Sequence, residues 1–162
     1  MTQSSQRHLN DLLKGFDTAM LITRGPDGGI RSRPMGVAEI NDAGDLYFAS
    51  SAESAKVREI KKDAEVTLIF QGRLTFVSLR GTAQVVKDQV LIDKLWSEGW
   101  RVWFPKGKTD PSLRLLKVEP EAAEYWDSSG LEGISYAFEA AKAYIKGEKP
   151  VTTQEQHGKI AM

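Results

Sequence analysis

Two hydrophobic periods alternate along the chain. Over residues 4–15, Leu9, Leu12, Leu13 and Phe16 recur at helical spacing and Gly15 stops the run, so a short amphipathic helix is expected. Residues 19–23 form a brief apolar run, and Gly25-Pro26-Asp27-Gly28-Gly29 supplies a turn. Residues 30–39 have strand character but contain Pro34, which cannot donate to a sheet ladder and so marks an edge, a bulge or a ligand-facing stretch. Asn41-Asp42-Ala43-Gly44 reads as a hairpin turn into an aromatic strand at 45–49. Serines at 50, 51 and 54 precede a short charged helix at 55–62 whose apolar positions are Val57 and Ile60.

The second half continues in the same manner. Strands are expected at 65–70 and 74–87, joined by Gln71-Gly72-Arg73, and Gly81 inside the longer one predicts a bulge or bend. A helix is expected at 88–96, then an irregular aromatic segment at 100–105, then a strand at 113–126 broken at Pro120. A further amphipathic helix is expected at about 134–146, ended by Gly147 and Pro150, and residues 159–162 could pair as a last strand. Most strands follow one another through turns, which favours an antiparallel sheet. The pattern predicts a mainly β barrel or sandwich with peripheral helices, in one domain spanning 1–162.

Composition removes several functions. Lys+Arg and Asp+Glu both number 22, so no basic excess favours nucleic acid. There are no cysteines, which excludes disulfides, thiolate catalysis and thiolate metal sites. Only His8 and His157 could supply imidazole, near opposite ends of the chain, so no metal site is expected. Residues 1–10 lack the apolar core of a signal peptide and no run approaches membrane-spanning length, so the expected location is the cytoplasm, with neither membrane nor nucleic acid as partner. Dinucleotide-fold, P-loop and nucleophile-elbow glycine motifs are absent.

Three segments carry candidate chemistry. Arg31 and Arg33 lie two positions apart on a strand and so project from one face. They are either a solvated edge or a pair awaiting an anion. Ser50, Ser51, Ser54 and Lys56 sit where a strand ends and a helix begins. There, hydroxyls, backbone N–H groups and an ammonium would suit a phosphate, although an ordinary serine cap with a surface lysine has the same sequence. Trp96, Trp100, Trp103 and Trp126 could stack on a planar ring or fill a core or an interface.

In combination these segments resemble the FMN-binding split barrel of the pyridoxamine 5'-phosphate oxidase superfamily, in its general stress protein branch. The resemblance rests on an ordered series: Arg33-Pro34-Met35, Asp42-Ala43-Gly44-Asp45, Leu46-Tyr47-Phe48 and Ser54-Ala55-Lys56. Val66 to Phe70, Val77 to Ala83, Trp103-Phe104-Pro105, Asp110-Pro111-Ser112-Leu113 and Ala123 to Asp127 continue it over nearly the whole chain. It implies an antiparallel split β-barrel and a homodimer with flavin at the subunit interface. It also implies Arg33 and Lys56 at the FMN phosphate, with Ser50 and Ser51 matching the hydroxyl-bearing strand end. Pro34 and Met35 would lie along the isoalloxazine ring, and Trp126 would reach the partner's flavin.

Departures from the true oxidases are visible. Gly36, Val37, Ala38 and Glu39 follow where those enzymes carry a second lysine. Ala55 stands where an arginine usually precedes the helix lysine, and no Arg-x-His follows Trp126. The resemblance therefore implies a flavin-dependent oxidoreductase using FMN or FAD with a small-molecule redox partner, rather than pyridoxamine phosphate oxidation. A flavin carrier or sensor without turnover and a deazaflavin-dependent reductase are the alternatives, with haem last for want of an axial ligand.

Overall fold

The computed structural model describes residues 3–128 and 157–161; the expected helix at about 134–146 lies outside them. Chain order begins with α1 (Gln3–Lys14), β1 (Thr18–Arg24), β2 (Ile30–Gly36), β3 (Glu39–Ile40), β4 (Leu46–Ser51) and α2 (Ala55–Lys62). It continues with β5 (Glu65–Gln71), β6 (Thr75–Val86), α3 (Gln89–Leu95), two 3-10 turns (Glu98–Val102 and Gly107–Thr109), β7 (Leu113–Asp127) and β8 (His157–Ala161). The strands form one antiparallel sheet in the order β2-β1-β5-β6-β7-β4-β3, with β8 added to β7.

Alternation explains how the sheet acquires an inside. Ala19, Leu21 and Thr23 of β1, Val66, Leu68 and Phe70 of β5, and Val77 and Leu79 of β6 all point inward and are buried. They meet Leu9 and Leu13 of α1 and Val57 and Ile60 of α2 in the main core. A smaller cluster forms where α3 covers the start of β7. Ile92, Phe104, Leu113 and Leu115 are buried there, with Trp96 and Trp100 packed against them. Asp88 caps α3, its carboxylate accepting from the Leu91 N–H at 3.1 Å.

Two strand expectations are corrected. The strand expected at 30–39 is two pieces, because after Gly36 the chain leaves β1. The Val37 N–H goes to the Asp17 carbonyl and the Ala38 N–H to the Tyr47 carbonyl. The strand expected to break at Pro120 instead runs unbroken through it. The register against β6 slips there, so that Arg80 faces Ala122 while Gly81 faces Pro120. This bulge lies at the glycine that predicted it. The free edge of β7 also changes partner at this point: residues 113–118 pair with β4 and residues 122–126 with β8. Pro120, which has no N–H to offer, falls in the gap between them.

The two backbones approach so closely at the bulge that only glycine fits. A Cβ on residue 81 would lie 2.2 Å from the Glu119 carbonyl oxygen. Gly81→Ala is therefore expected to lower stability by about 1–3 kcal/mol, measured as a fall in the urea midpoint. Gly36→Ala, with nothing within 4 Å of its Cβ, should leave the midpoint nearly unchanged.

Candidate functional site

β2 is an edge strand, and its inward face ends in Arg31, Arg33 and Met35. The C-terminal end of β4 brings Ser50 and Ser51 to the same region, and α2 starts immediately beyond them. Arg33, Pro34 and Met35, Ser50 and Ser51, and Lys56 line a single cavity of about 570 Å³. The segment after α3 closes another side of it with Trp100, Trp103 and Phe104. Phe104 is buried in the smaller core and anchors that wall, whereas Trp103 is 72 % exposed and stands at the rim.

Six of the seven expected site residues thus share one cavity. Trp126 does not belong to that lining. It sits on β7 at the opposite end from Leu113, which pairs with Ser51, and its ring stacks on His157 at 5.2 Å and 10°. The aromatic wall and the residues beneath Arg33 were not singled out as site residues by the sequence.

Beneath Arg33 lies a buried carboxylate. Glu59 of α2 receives the Thr23 hydroxyl at 2.6 Å and Arg33 Nη2 at 2.8 Å, while Arg33 Nη1 donates to Thr23 Oγ1 at 2.5 Å. Arg31 Nε stands 3.8 Å from the other oxygen of Glu59, and Arg31 Nη2 bonds Asp27 at 3.1 Å. The anion that two like charges on one strand face require is therefore supplied from within the chain. Arg33 still lines the cavity, but two of its donors are already committed to this network.

Lys56 is different. Among the described residues its ammonium has no hydrogen bond and no ion pair. Burial pulls its pKa below the ordinary lysine value, and the Arg33 charge pulls the same way; Glu59 opposes both. A partly desolvated ammonium without a partner gains most from an anion entering the cavity. The hydroxyls beside it bond one another and the local backbone: Ser50 Oγ also reaches the Ser51 carbonyl at 3.5 Å, and Ser51 Oγ accepts from the Glu53 N–H at 3.4 Å. Ser54 makes no side-chain cap bond to α2, and its Oγ lies 3.1 Å from Ser50 Oγ. The expected serine cap is thus a pair of hydroxyls by the cavity. The arrangement offers a cation and hydroxyls at one end and apolar, aromatic surface elsewhere, which suits a phosphorylated planar heterocycle.

Thr23 and Glu59 carried a faint signal. Glu59 lies one helical turn from Lys56 and between the core positions Val57 and Ile60, an arc where a carboxylate needs a buried partner. Among the described residues, no group of three His, Asp or Glu side chains could hold a metal ion.

The Glu59 network makes acid stability a direct readout. Burial pushes its carboxyl up, but the Thr23 hydroxyl and the Arg33 charge outweigh burial and hold it below the ordinary glutamate value of 4.5. A depressed carboxyl contributes stability that is complete above pH 4.5 and is lost as pH falls through the folded-state value. Glu59→Gln is expected to cost roughly 1.5–3 kcal/mol at pH 7 and to flatten the decline below pH 4.5. Urea unfolding at stepped pH measures both; an unchanged acid slope would refute this role.

Comparison with known proteins now fits the geometry. The family model described as pyridoxamine 5'-phosphate oxidase like matches residues 4–151. Protein bli-3 of Neurospora crassa is 28% identical over 159 residues, covering 91% of this chain and 75% of that protein. Among solved structures, the general stress FMN/FAD binding protein from Xanthomonas citri is 28% identical with a TM-score of 0.68, over 80% of this chain and 92% of that one. A candidate general stress protein 26 from Jannaschia sp. CCS1 superposes with a TM-score of 0.76 at 23% identity, over 99% of this chain and 100% of that one, and shares the fold. An antiparallel sheet curled into a half-barrel, the cavity at its β2 edge and a match over most of its length place this chain in the pyridoxamine 5'-phosphate oxidase like family of split-barrel proteins.

Proposed function

We propose that the chain binds a flavin in the β2–α2 cavity and serves as a flavin-dependent oxidoreductase. The observation that carries this reading is the unpartnered, partly desolvated Lys56 beside Ser50 and Ser51, at one end of a cavity otherwise walled by Pro34, Met35, Trp100 and Phe104. Lys56 and the serine hydroxyls would hold the phosphate. Arg33, fixed by Glu59 and Thr23, would add a charge of set orientation rather than a mobile one. Met35, Pro34 and the aromatic wall would position the ring and exclude water from one of its faces. The bound flavin would supply the electron transfer, and the chain its orientation and electrostatics. The FMN/FAD binding recorded for the Xanthomonas citri relative supports the choice of ligand.

The reading extends to a homodimer with flavin at its seam. Pro34 at the cavity pairs in register with Met20 of β1, which is exposed, and farther along the sheet Phe76 pairs with Trp126, both about two-fifths exposed. An apolar outer face that begins at the cavity mouth is what a second subunit would cover. Trp126, absent from its own cavity, would then be free to serve the partner's.

The freshly purified protein is expected to be yellow, to release FMN or FAD on denaturation, and to elute at twice 18.0 kDa. Colourless protein that takes up neither flavin would overturn the reading. Lys56→Ala should weaken FMN by about 1.5–3 kcal/mol and leave riboflavin nearly unaffected, since only FMN carries the phosphate. Fluorescence titration of both ligands checks this; equal losses would remove Lys56 from the phosphate. Sustained flavin-dependent oxidation of reduced nicotinamide would separate an enzyme from a carrier.

A further inference from the structure

A second cavity has no lining residue in common with the first, and the closed Arg33–Glu59 pair stands between them. Its volume is about 420 Å³, within the range of roughly 300–1,000 Å³ typical of small-molecule sites. The end of β1, the start of β2 and one side of α2 converge on it. They bring Arg24, Arg31, Arg58 and Lys62 together around Pro26 and Glu59. Like charges gathered on one concave space repel, so the arrangement is unfavourable unless acids or a ligand offset it.

Acids offset only part of that charge. Glu59 is taken up by Arg33 at 2.8 Å and Thr23 at 2.6 Å, neither of which lines this cavity, and it reaches Arg31 Nε only at 3.8 Å. Asp27 answers Arg31 at 3.1 Å and Asp63 answers Arg24 at 3.8 Å. Arg58 and Lys62 remain, one helical turn apart on α2 and both exposed. Arg58 donates to the Glu53 backbone carbonyl, a neutral acceptor. Lys62 makes no hydrogen bond or ion pair among the described residues.

The arginines are also anchored from behind. Arg24 Nη1 donates to the Gly28 carbonyl at 3.1 Å. Arg31 packs on the turn between β1 and β2, where a Cβ on residue 25 would lie 2.5 Å from its Nε, so Gly25 makes the room it occupies. A guanidinium carries five N–H donors, and one or two anchors leave the others for the cavity. Donors fixed in this way lose little freedom when a ligand arrives. Pro26, Ala55 and the aliphatic stems of the arginines form the uncharged part of the wall.

We propose that this second cavity is a binding site for a phosphate monoester with a small flat apolar body, held separately from any ligand of the first cavity. The two cations without an acid match the charge of such an ester near neutral pH, where it is close to a dianion. The guanidinium forks meet its oxygens in pairs, and their planes, with Pro26, receive the flat body. The chain as a whole has formal net charge +0, so the surplus belongs to this cavity and not to a generally basic surface. The assignment stands apart from the flavin reading.

The test titrates phenyl phosphate into the full-length chain by calorimetry near neutral pH. The double variant Arg58→Ala, Lys62→Ala is expected to bind it about tenfold or more weakly, and Lys62→Ala alone, which breaks no bond, about threefold or more. Urea midpoints of the same samples check that the fold is kept. Lys56→Ala, which removes the first cavity's free cation, should leave phenyl phosphate affinity within about twofold. Benzoate, with the same ring and a single charge, should bind about tenfold more weakly than phenyl phosphate. Losses confined to Lys56→Ala would place the anion in the first cavity and overturn the assignment. No loss in either Lys62 variant, or no uptake of phenyl phosphate by the wild type, would overturn it whether or not the chain takes flavin. Inorganic phosphate binding as tightly as phenyl phosphate would make this a simple anion site and overturn the ester.

Discussion

The Glu59 carboxylate is the contact on which the cavity-bearing edge of this molecule depends. One buried oxygen accepts from Thr23 of β1 and from Arg33 of β2 while its backbone belongs to α2, so three elements are tied through one acid. Burying a carboxylate is unfavourable unless it is fully partnered, and here a hydroxyl and a guanidinium meet it together. The consequence reaches beyond stability. Arg33 is held in one direction, Lys56 on the next turn of the helix is left without an acid of its own, and the carboxylate becomes the partition between two basic cavities. Electrostatic preorganisation of this kind spares a ligand the work of ordering the charges that receive it.

Curvature of the sheet sets the other half of the site. The slip at Gly81 and Pro120 lets the long β6–β7 pair change register without parting. The first half of β7 then runs beside β4 and under α3, where Phe104 and Trp100 are fixed. The second half runs beside β8. One strand therefore supports the aromatic wall at one end and the outer apolar face at the other.

Elements with strong periodicity or clear turn chemistry were legible in the sequence. α2 was expected at 55–62 and lies there, and the bulge at Gly81 followed from a glycine inside an apolar alternation. Pro120 misled because the loss of an N–H breaks a strand only where a partner needs that donor, and Pro120 lies between the residues that pair with β4, which end at Val118, and those that pair with β8, which begin at Ala122. That Arg33, Pro34, Met35, Ser50, Ser51 and Lys56 would come together at one cavity was legible because motif order carried them. Glu59 was not, since a glutamate on a charged helix looks solvated until the two arginines of β2 are seen to face it. The aromatic wall was noticed but not assigned, because tryptophans in a core and at a cavity leave the same trace, and here Trp100 does both.

β8 has a meaning for solubility as well as architecture. Its five residues satisfy the backbone of β7 from Ala122 to Trp126, and Gly158 lets the Tyr125 ring pack directly against the chain, where any side chain would collide with it. Were that short segment displaced, a ladder of open N–H and C=O groups flanked by Tyr125 and Trp126 would become a template for a strand from another molecule, the hazard of any bare sheet edge. The chain thus carries its own plug for the most adhesive stretch of its longest strand.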